Sequence, residues 1–288
     1  MTDTLWSDVS EFQVAVSNSY PYGFLAFRSN DGNYLDHRFA ENMAWCHGAR
    51  ASGRLWGFMV YYFYRPGVNG AAVLKARVGT PDSRLVAMID VESAGGAIGG
   101  NQSAQINAEF EELAAWLGDP RRVVGYGNVS DLNALWPSKP SGARLIVAAY
   151  GSNPSYPGKY AHQFADNFST PPFGPSDINS ADGMGVAQLE AMYGFSAPPP
   201  VQWTEVTTTM NLPTISQAAP GPSPFYVQKM QADLNVHTIG GGATVLTVDG
   251  SFGPATTTRL KQFQGSRGLA QDGVCGGKTW AALESDPV

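Results

Sequence analysis

Cysteine is scarce in this sequence, since Cys46 and Cys275 are the only two among 288 residues. Two cysteines so far apart can form neither a disulfide framework nor a Cys-based zinc site, and we expect both to be reduced thiols. The four histidines show no metal-ligand spacing, and no cluster of His with carboxylates accompanies them. The sequence therefore predicts a protein that uses no metal and no other cofactor.

Basic residues and long apolar runs are also lacking. Lys and Arg total 18 against 24 Asp and Glu, which gives a formal net charge of -6 and argues against a nucleic-acid partner. No stretch of about 18 apolar residues is present, so we expect no membrane span. Residues 1–6 carry no basic segment followed by an apolar run, which predicts synthesis in the cytoplasm without a secretory signal.

Alternating strand and helix signals occupy the first 195 residues. Helical spacing marks residues 39–51 and 104–117, and short β-branched or aromatic runs lie around them. This alternation is typical of βα units around a parallel sheet. Later strands near Tyr150, 160–164 and Asp177 leave no room for helices, so we predict an α/β fold, an irregular barrel of about five βα units plus three further strands. The earlier strand signals lie at residues 23–27, 55–64, 85–91, 122–126 and 145–150.

The composition changes twice after this region. Residues 197–224 are rich in Pro and Thr, which is typical of a semi-rigid linker. Residues 225–288 contain a near-repeat in which a short helical stretch precedes a tight Asp-Gly turn. We therefore predict a barrel domain over residues 1–196, the linker, and a small all-α domain of three helices over 225–288. The predicted core of that small domain is Met230, Leu234, Leu260, Phe263, Trp280 and Leu283.

Three acidic residues fall at the ends of predicted strands: Asp8 in the first, and Asp90 and Glu92 at the close of the fourth. Residues i and i+2 of a strand point to the same face, so Asp90 and Glu92 place two carboxyls about 6–7 Å apart. Neighbouring carboxylates after a buried run raise one pKa, which suits a general acid. Glycoside hydrolysis uses such a pair, and parallel barrels carry active sites at these strand ends. The alternative is that Asp90 and Glu92 simply begin a loop or cap a helix.

Six short motifs in chain order strengthen this interpretation. They are Asp8-Val9-Ser10 with Gln13, Tyr61-Tyr62-Phe63-Tyr64-Arg65-Pro66, Asp90-Val91-Glu92, Ala148-Ala149-Tyr150-Gly151, His162-Gln163-Phe164 and Asp177-Ile178-Asn179. Together they resemble glycoside hydrolase family 25, the barrel-shaped muramidases of bacteria and phages, over most of residues 4–195. In two places the sequence departs from the family pattern, because Tyr62 stands where the family has His and His162 where it has Trp.

The resemblance implies roles for individual side chains. Glu92 would be the general acid, and Asp8, Asp90 and Asp177 would be the carboxylates that orient the reacting groups and stabilise the transition state. Packing in the core is the alternative for the aromatic residues of the implied sugar groove. Those aromatic residues are Tyr34, Phe63, Tyr126 and Tyr150.

The C-terminal repeat resembles a second family, peptidoglycan-binding domain 1, over residues 225–284. In this resemblance Asp249 and Asp272 hold the two turns by accepting backbone hydrogen bonds. The residues that carry it are Asp249-Gly250-x-Phe252-Gly253 and Asp272-Gly273-x-x-Gly276-x-x-Thr279-Trp280.

The two resemblances together imply an endolysin-type muramidase that hydrolyses the β-1,4 bond between N-acetylmuramic acid and N-acetylglucosamine in bacterial peptidoglycan. The C-terminal domain would hold it on the wall and raise its effective concentration there. By analogy with phage endolysins, we expect a monomer made in the host cytoplasm that reaches the wall after release by a separate membrane-permeabilising protein. Two alternatives stay open: a non-catalytic wall-binding protein with a degenerate barrel, and an amidase or peptidase of the peptide stem, against which the missing metal site and Cys/His motif argue.

Overall fold

The computed structural model describes residues 3–195, 212–221, 223–237 and 245–283. The first of these segments alternates strands and helices as the sequence predicts. Its strands are β1 (Leu5–Val9), β2 (Ala26–Asp31), β3 (Tyr34–Leu35), β4 (Phe58–Phe63), β5 (Leu85–Asp90), β6 (Val123–Asn128), β7 (Arg144–Ala148), β8 (Lys159–Thr170) and β9 (Gly174–Ser180). Its α helices are α1 (Phe39–Ala51), α2 (Gly70–Val78), α3 (Ser103–Leu117), α4 (Val129–Ala134) and α5 (Val186–Met192), with a short 3-10 helix at Pro120–Arg122.

The strands close into a barrel of eight, with β3 as an extra hairpin strand on β2. Pairing is parallel from β1 through β2 and β4 to β8, whereas β9 runs antiparallel to both β8 and β1. Helices α1 to α4 fill the four connections between β2 and β7, and the connections β1–β2 and β7–β8 contain none. The structure thus confirms the predicted irregular barrel, whose second half lacks covering helices of its own.

The helix predictions agree closely with the structure, but the second strand does not begin where the sequence suggests. The signal at residues 23–27 predicts a strand that starts early, whereas β2 begins at Ala26 and continues through Ser29 and Asn30 to Asp31. Ser29 and Asn30 are fully buried, and Asn30 donates to the carbonyl oxygens of Gly32 and Gly70. A strand that contains buried polar side chains lacks the run of apolar residues by which strands are predicted, so its sequence does not indicate where it ends.

Two apolar cores lie on the two faces of the barrel wall, because successive side chains of a strand point to opposite faces. The outer faces of the strands pack against helices α1 to α4. The inner faces fill the end of the barrel at which the parallel strands begin, and that end is covered by Leu189 of α5 and by Tyr193, which follows the helix. The inward side chains of this core include Ala26, Met59, Val86, Val124 and Ile146. Because one end is filled and covered, the polar inward residues gather at the opposite end.

The C-terminal module consists of helices α6 (Pro224–Val236), α7 (Pro254–Ser266) and α8 (Gly277–Leu283) with residues 212–221 packed beside them. All six residues predicted for its core are buried. Ile215, inside the predicted linker, pairs with Cys275, and Trp280 Nε1 donates to Pro213 O at 2.9 Å. Residues 197–211 of that linker lie outside the described residues, so its stiffness stays a prediction.

The near-repeat of the sequence is repeated in the module's hydrogen bonds. Gln231 Nε2 donates to Asp249 Oδ1 at 2.9 Å, and its Oε1 accepts from Gly250 N at 3.0 Å. Gln264 Nε2 donates to Asp272 Oδ1 at 2.8 Å, and its Oε1 accepts from the following glycine N at 3.0 Å. Each buried glutamine therefore ties a helix to an Asp-Gly turn, and both aspartates also accept backbone bonds within their own turns.

Helix α6 of the module covers the outer face of the barrel's second half. Phe225 packs with Leu5, Phe164 and Ile178 in one buried cluster, and its ring lies 4.9 Å from that of Phe168. The module thus takes the position that a barrel helix would otherwise occupy. In the described segments, no helix is both long and apolar enough to cross a membrane.

Candidate active site

The predicted carboxylates converge at the polar end of the barrel. Asp8 in β1 pairs in register with Asp177 of the antiparallel strand β9. Asp90 ends β5, where it stands between Phe63 of β4 and Tyr126 of β6. All of these side chains share the parity of the inward-facing residues along their strands, so they point into the same cavity mouth.

Asp8 is a buried carboxyl held by neutral amides. Gln163 Nε2 donates to Asp8 Oδ2 at 3.0 Å, and Asn179 Nδ2 donates to the same oxygen at 2.7 Å. Burial raises the pKa of Asp8, while the hydrogen bonds from Asn179, Gln163 and Asp177 lower it. The net effect is a raised pKa of Asp8, and the three donors aimed at this carboxyl hold it as a hydrogen-bond acceptor in a fixed position.

Asp177 carries the proton of the Asp8–Asp177 pair. Burial first, then repulsion from Asp8 and the hydrogen bond to it, raise the pKa of Asp177 to about 9. Two carboxyls in contact cannot both ionise cheaply. At neutral pH, Asp177 therefore donates its proton in a hydrogen bond to the Asp8 carboxylate.

Asp90 and Glu92 form a second carboxyl pair that hydrogen-bonds internally. Burial raises the pKa of Asp90 well above its ordinary value, and repulsion from Glu92 and Asp8 adds to it. Burial also raises the pKa of Glu92, the hydrogen bond from Asp90 lowers it, and the charges of Asp131 and Asp8 raise it. Asp90 is only 7% exposed, and its Oδ1 has no hydrogen-bond partner among the described residues, whereas Glu92 is half-buried. Of this pair, Glu92 is the member that a bound molecule can reach.

The backbone around Glu92 is held from both sides. Val91 N donates to Tyr126 O at 2.9 Å, and Ser93 N donates to Asp131 Oδ2 at 2.9 Å. Gly127 permits the close approach, because a Cβ there would lie 2.5 Å from Val91 O. Asp131 lies in α4, and the strand and carboxylate patterns of the sequence do not predict its place in the site. The only signal for it is the helix cap, in which Asn128 Oδ1 accepts from Asp131 N.

Two of the predicted groove aromatics meet at Gln163. The hydroxyl of Tyr126 donates to Gln163 Oε1 at 2.6 Å, and that of Tyr150 donates to the same oxygen at 2.8 Å. Gln163 in turn donates to Asp8. Tyr126 is buried, so it contributes to the wall of the site more than to its surface, whereas Tyr150 is 52% exposed at the rim.

The other two predicted aromatics lie on neighbouring strands at the same end. Phe63 is half-buried, and the Arg65 guanidinium lies 4.5 Å from its ring centroid. Tyr34 is 48% exposed on the β2–β3 hairpin, and its hydroxyl donates to Glu11 Oε2 at 3.0 Å. All four aromatics therefore lie at or near the polar end, and three of them have accessible ring surface.

A charged cluster at the rim, formed by Arg28, Asp36 and Glu11, was not predicted from the sequence. Arg28 points inward two residues after Ala26, and its Nε donates to Asp36 Oδ2 at 3.0 Å. Its Nη2 lies 3.4 Å from Glu11 Oε1, and its guanidinium lies 5.5 Å from the ring centroid of Phe12, which is 82% exposed. Strand parity alone would have identified Arg28, had the strand been predicted to extend past residue 27.

The two departures from the family pattern lie on the outer faces of their strands. The Tyr62 hydroxyl donates to Glu109 Oε2 on α3 at 2.6 Å. His162 Nε2 lies 2.8 Å from Ala149 O, and burial lowers the pKa of this imidazole to about 4. Neither side chain faces the carboxylates, so these replacements alter the packing behind the site. Within the described segments, no group of three or more His, Cys, Asp or Glu side chains is arranged to hold a metal ion.

A family model and a related protein each match part of the chain. Residues 226–283 match a family model described as a peptidoglycan binding domain. The uncharacterized protein Rv3766 of Mycobacterium tuberculosis is 43% identical over 208 residues, which are 68% of this chain and 76% of that protein.

Three solved structures resemble the barrel. A bacterial lysozyme from Streptomyces coelicolor has a TM-score of 0.52 and 20% identity, with 67% of this chain and 98% of that chain covered. A family 25 glycosyl hydrolase from Bacillus anthracis has a TM-score of 0.52 and 13% identity, with coverage of 66% and 93%. The CTP1L endolysin has a TM-score of 0.52 and 17% identity, with coverage of 67% and 70%. At such identities the similarity shows the fold alone, and it confirms the predicted barrel.

Proposed function

Because this chain belongs to the family of the mycobacterial protein Rv3766 and joins a family 25 hydrolase barrel to a peptidoglycan binding domain, we propose that it is a muramidase. Its reaction is hydrolysis of the β-1,4 bond between N-acetylmuramic acid and N-acetylglucosamine. The observation that carries the proposal is the convergence of two carboxyl pairs, Asp8 with Asp177 and Asp90 with Glu92, at one open end of the barrel.

Glu92 acts as the general acid in this proposal. Its pKa is raised by burial, and it is more accessible than Asp90. As the glycosidic C–O bond breaks, the leaving oxygen takes the proton of Glu92. Water then adds to the anomeric carbon and gives its proton to a carboxylate of the site. Return of that proton to Glu92 restores the starting protonation state.

The remaining carboxyls serve the charge that develops on the sugar. Bond cleavage leaves an oxocarbenium-like centre with partial positive charge. Asp8 is anionic and already held by Gln163 and Asn179, so it stabilises that charge without reorganising during the reaction. Asp177 holds the proton of its pair in a hydrogen bond to Asp8. In the other pair, the hydrogen bond between Asp90 and Glu92 is the route by which the proton reaches Glu92 before it acts as the acid.

The rim supplies surfaces for a glycan. Tyr34, Phe63 and Tyr150 offer rings at the polar end of the barrel, and Phe12 adds a fourth exposed ring. Pyranose faces pack on such rings, with burial of apolar area as the driving force. These side chains are the ones we propose to line the sugar groove, with Tyr126 supporting them from below.

The C-terminal module suits an enzyme that works on an insoluble polymer. Its match to a peptidoglycan binding domain supports bacterial peptidoglycan as the partner, and attachment raises the local concentration of the enzyme. We propose an endolysin-type role, in which the chain lyses the wall after release from the cell that made it. A monomer suffices, because one chain carries all four carboxyls.

The test compares wild type with Glu92→Gln on purified peptidoglycan. New ends are reduced with borohydride and identified by mass spectrometry. We expect reduced muramic acid termini from wild type and a loss of turnover of about 10²–10⁴-fold in Glu92→Gln, which keeps the side-chain shape but cannot act as an acid. Glu111→Gln is the matched control, because it removes the same charge at an exposed position of α3.

Three other results would contradict the proposed activity or the proposed role of Glu92. New free amines without reducing ends would identify an amidase and refute the glycosidase. Retained wall binding without cleavage would identify the non-catalytic alternative. Activity of Glu92→Gln within a few-fold of wild type would remove Glu92 from the role of acid.

A further inference from the structure

Tyr150 lies on the loop between β7 and β8, and the first part of that loop, residues 149–153, is held at both of its ends by the barrel itself. Ala149 N donates to Gln163 O at 3.1 Å. At the other end, Asn153 Nδ2 donates to Asp182 Oδ1 at 3.0 Å. Between these anchors lies Gly151, whose φ of +79° is a conformation that glycine adopts without strain.

The middle of this loop is held from the C-terminal module. Asn235 Nδ2 donates to Gly151 O at 2.8 Å. The same amide donates to Leu246 O at 2.9 Å and accepts from Leu246 N at 2.8 Å. Asn235 therefore joins three segments: the last turn of α6, the segment that contains Leu246, and the barrel loop that carries Tyr150.

Helix α6 is seated firmly enough to hold the loop in a definite position. Phe225, at its start, is buried against the barrel. Lys229, one turn later, is 3% exposed and lies 3.4 Å from Asp3 Oδ2 of the barrel and 3.3 Å from Asp233 Oδ2 of the same helix. From Phe225 to Asn235 the helix rises about 15 Å. Along this one helix, the apolar contact of Phe225 is followed by the buried ion pair of Lys229 and then by the hydrogen bonds of the Asn235 amide, which we call the clamp.

A continuous chain of contacts leads from this clamp to the carboxylates. Asn235 contacts Gly151, which adjoins Tyr150 in the chain. The Tyr150 hydroxyl donates to Gln163 Oε1 at 2.8 Å. Gln163 Nε2 then donates to Asp8 Oδ2 at 3.0 Å. Three hydrogen bonds and one peptide bond therefore connect a residue of the C-terminal module to a carboxylate of the site.

We infer that Asn235 is a positioning residue for the glycan groove, and that the module completes this groove in addition to anchoring the enzyme. This inference rests on the proposed muramidase function. Without the clamp, the loop keeps its anchors at Ala149 and Asn153 and loses only its middle attachment. Tyr150 then samples more positions, so glycan binding weakens while the carboxylates stay in place.

The experiment uses the full-length chain with Asn235→Ala. The matched control is Asn107→Ala, another half-buried asparagine whose amide bridges two segments. Asn107 Oδ1 accepts from Trp136 Nε1 at 2.7 Å and its Nδ2 donates to Ser138 O at 3.1 Å. This control lies on α3, and its two hydrogen bonds go to Trp136 and Ser138, which lie outside the loop that carries Tyr150. The measurements are KM and kcat on a soluble uncrosslinked glycan, hydrogen exchange of residues 149–153, melting temperature and sedimentation with insoluble peptidoglycan.

For Asn235→Ala we expect KM to rise by about three- to ten-fold, which corresponds to the loss of one or two hydrogen bonds. kcat should stay within about two-fold, exchange of residues 149–153 should accelerate, and wall sedimentation should be unchanged. Asn107→Ala should leave KM and that exchange as in wild type.

Unchanged KM and unchanged loop exchange in a folded Asn235→Ala protein would overturn the inference. So would exchange that accelerates throughout the chain with a parallel loss of kcat, because that pattern indicates a purely structural residue. Failure of the proposed function is a separate outcome, since wild type would then cleave no glycan. Faster exchange confined to residues 149–153 would in that case still show that Asn235 holds the loop.

Discussion

Asp233→Asn tests whether the module is seated on the barrel in solution. Asp233 is 6% exposed on α6. Burial raises the pKa of its carboxyl to about 6, Lys229 opposes this, and the charges of Asp182 and Asp3 on the barrel add to it. A solvated aspartate on a free module would keep an ordinary pKa. The titration of Asp233 therefore reports on docking.

The magnitude follows from linkage between protonation and folding. The folded pKa of about 6 lies above the ordinary value of 3.8, so ionised Asp233 destabilises the folded chain at pH 7. Each pKa unit corresponds to about 1.36 kcal/mol, which makes the full effect about 3 kcal/mol. The penalty is present above pH 6 and is lost as the pH falls from 6 through 3.8. Asparagine has the shape of the protonated aspartic acid but does not ionise, so the variant lacks this penalty at every pH.

The assay is urea denaturation of wild type and Asp233→Asn at pH 7 and pH 4. The free energy of unfolding of Asp233→Asn minus that of wild type should be about 2–3 kcal/mol larger at pH 7 than at pH 4. Asp249→Asn is the control in the same module, because hydrogen bonds from Gln231 and Ser251 lower the pKa of Asp249. Its pH dependence should have the opposite sign. Parallel pH dependence of wild type and Asp233→Asn would refute the docked arrangement.

Two further predictions concern the site and the module. Asp131→Asn removes a charge that raises the pKa of Glu92. Because a general acid is lost as the pH rises through its pKa, the alkaline limb of the pH profile of kcat should move to lower pH. An alkaline limb at the same pH as in wild type would contradict this coupling between Asp131 and Glu92. Gln264→Met leaves the buried Gly273 N–H unpaired and removes one donor from Asp272 Oδ1 and one from Val274 O, so urea denaturation should show a loss of about 2–4 kcal/mol. Gln231→Met should cost as much as Gln264→Met, and a cost below about 1 kcal/mol for either would show that the repeated network contributes little to stability.

Several features of the site could be predicted because they depend on short-range rules. Asp90 and Glu92 follow a buried strand, and the period of two along a strand places them on one face. The parallel strand ends meet at one edge of a barrel, which brings Asp8 to the same place. Asp177 was predicted only through the family resemblance, because its pairing with Asp8 depends on an antiparallel strand more than 160 residues away.

Other features depend on contacts that no local pattern contains. Arg28 and Asp131 lie in segments whose sequence signals describe a strand end and a helix cap. Their approach to the carboxylates results from barrel closure. Tyr62 and His162 stand in family motifs, yet their orientation away from the site was decided by strand parity within the finished barrel.

The division between sequence and structure in this protein follows the range of the forces involved. The sequence by itself determined the alternation of strands and helices, the position of the carboxyls at strand ends and the repeated helix–turn unit, because period, turn chemistry and helix capping act over a few residues. Only the tertiary structure decided that α6 covers the barrel half that lacks helices and that Asn235 reaches Gly151. Those contacts join residues far apart in the chain, and burial of apolar surface selects them only once both domains have folded.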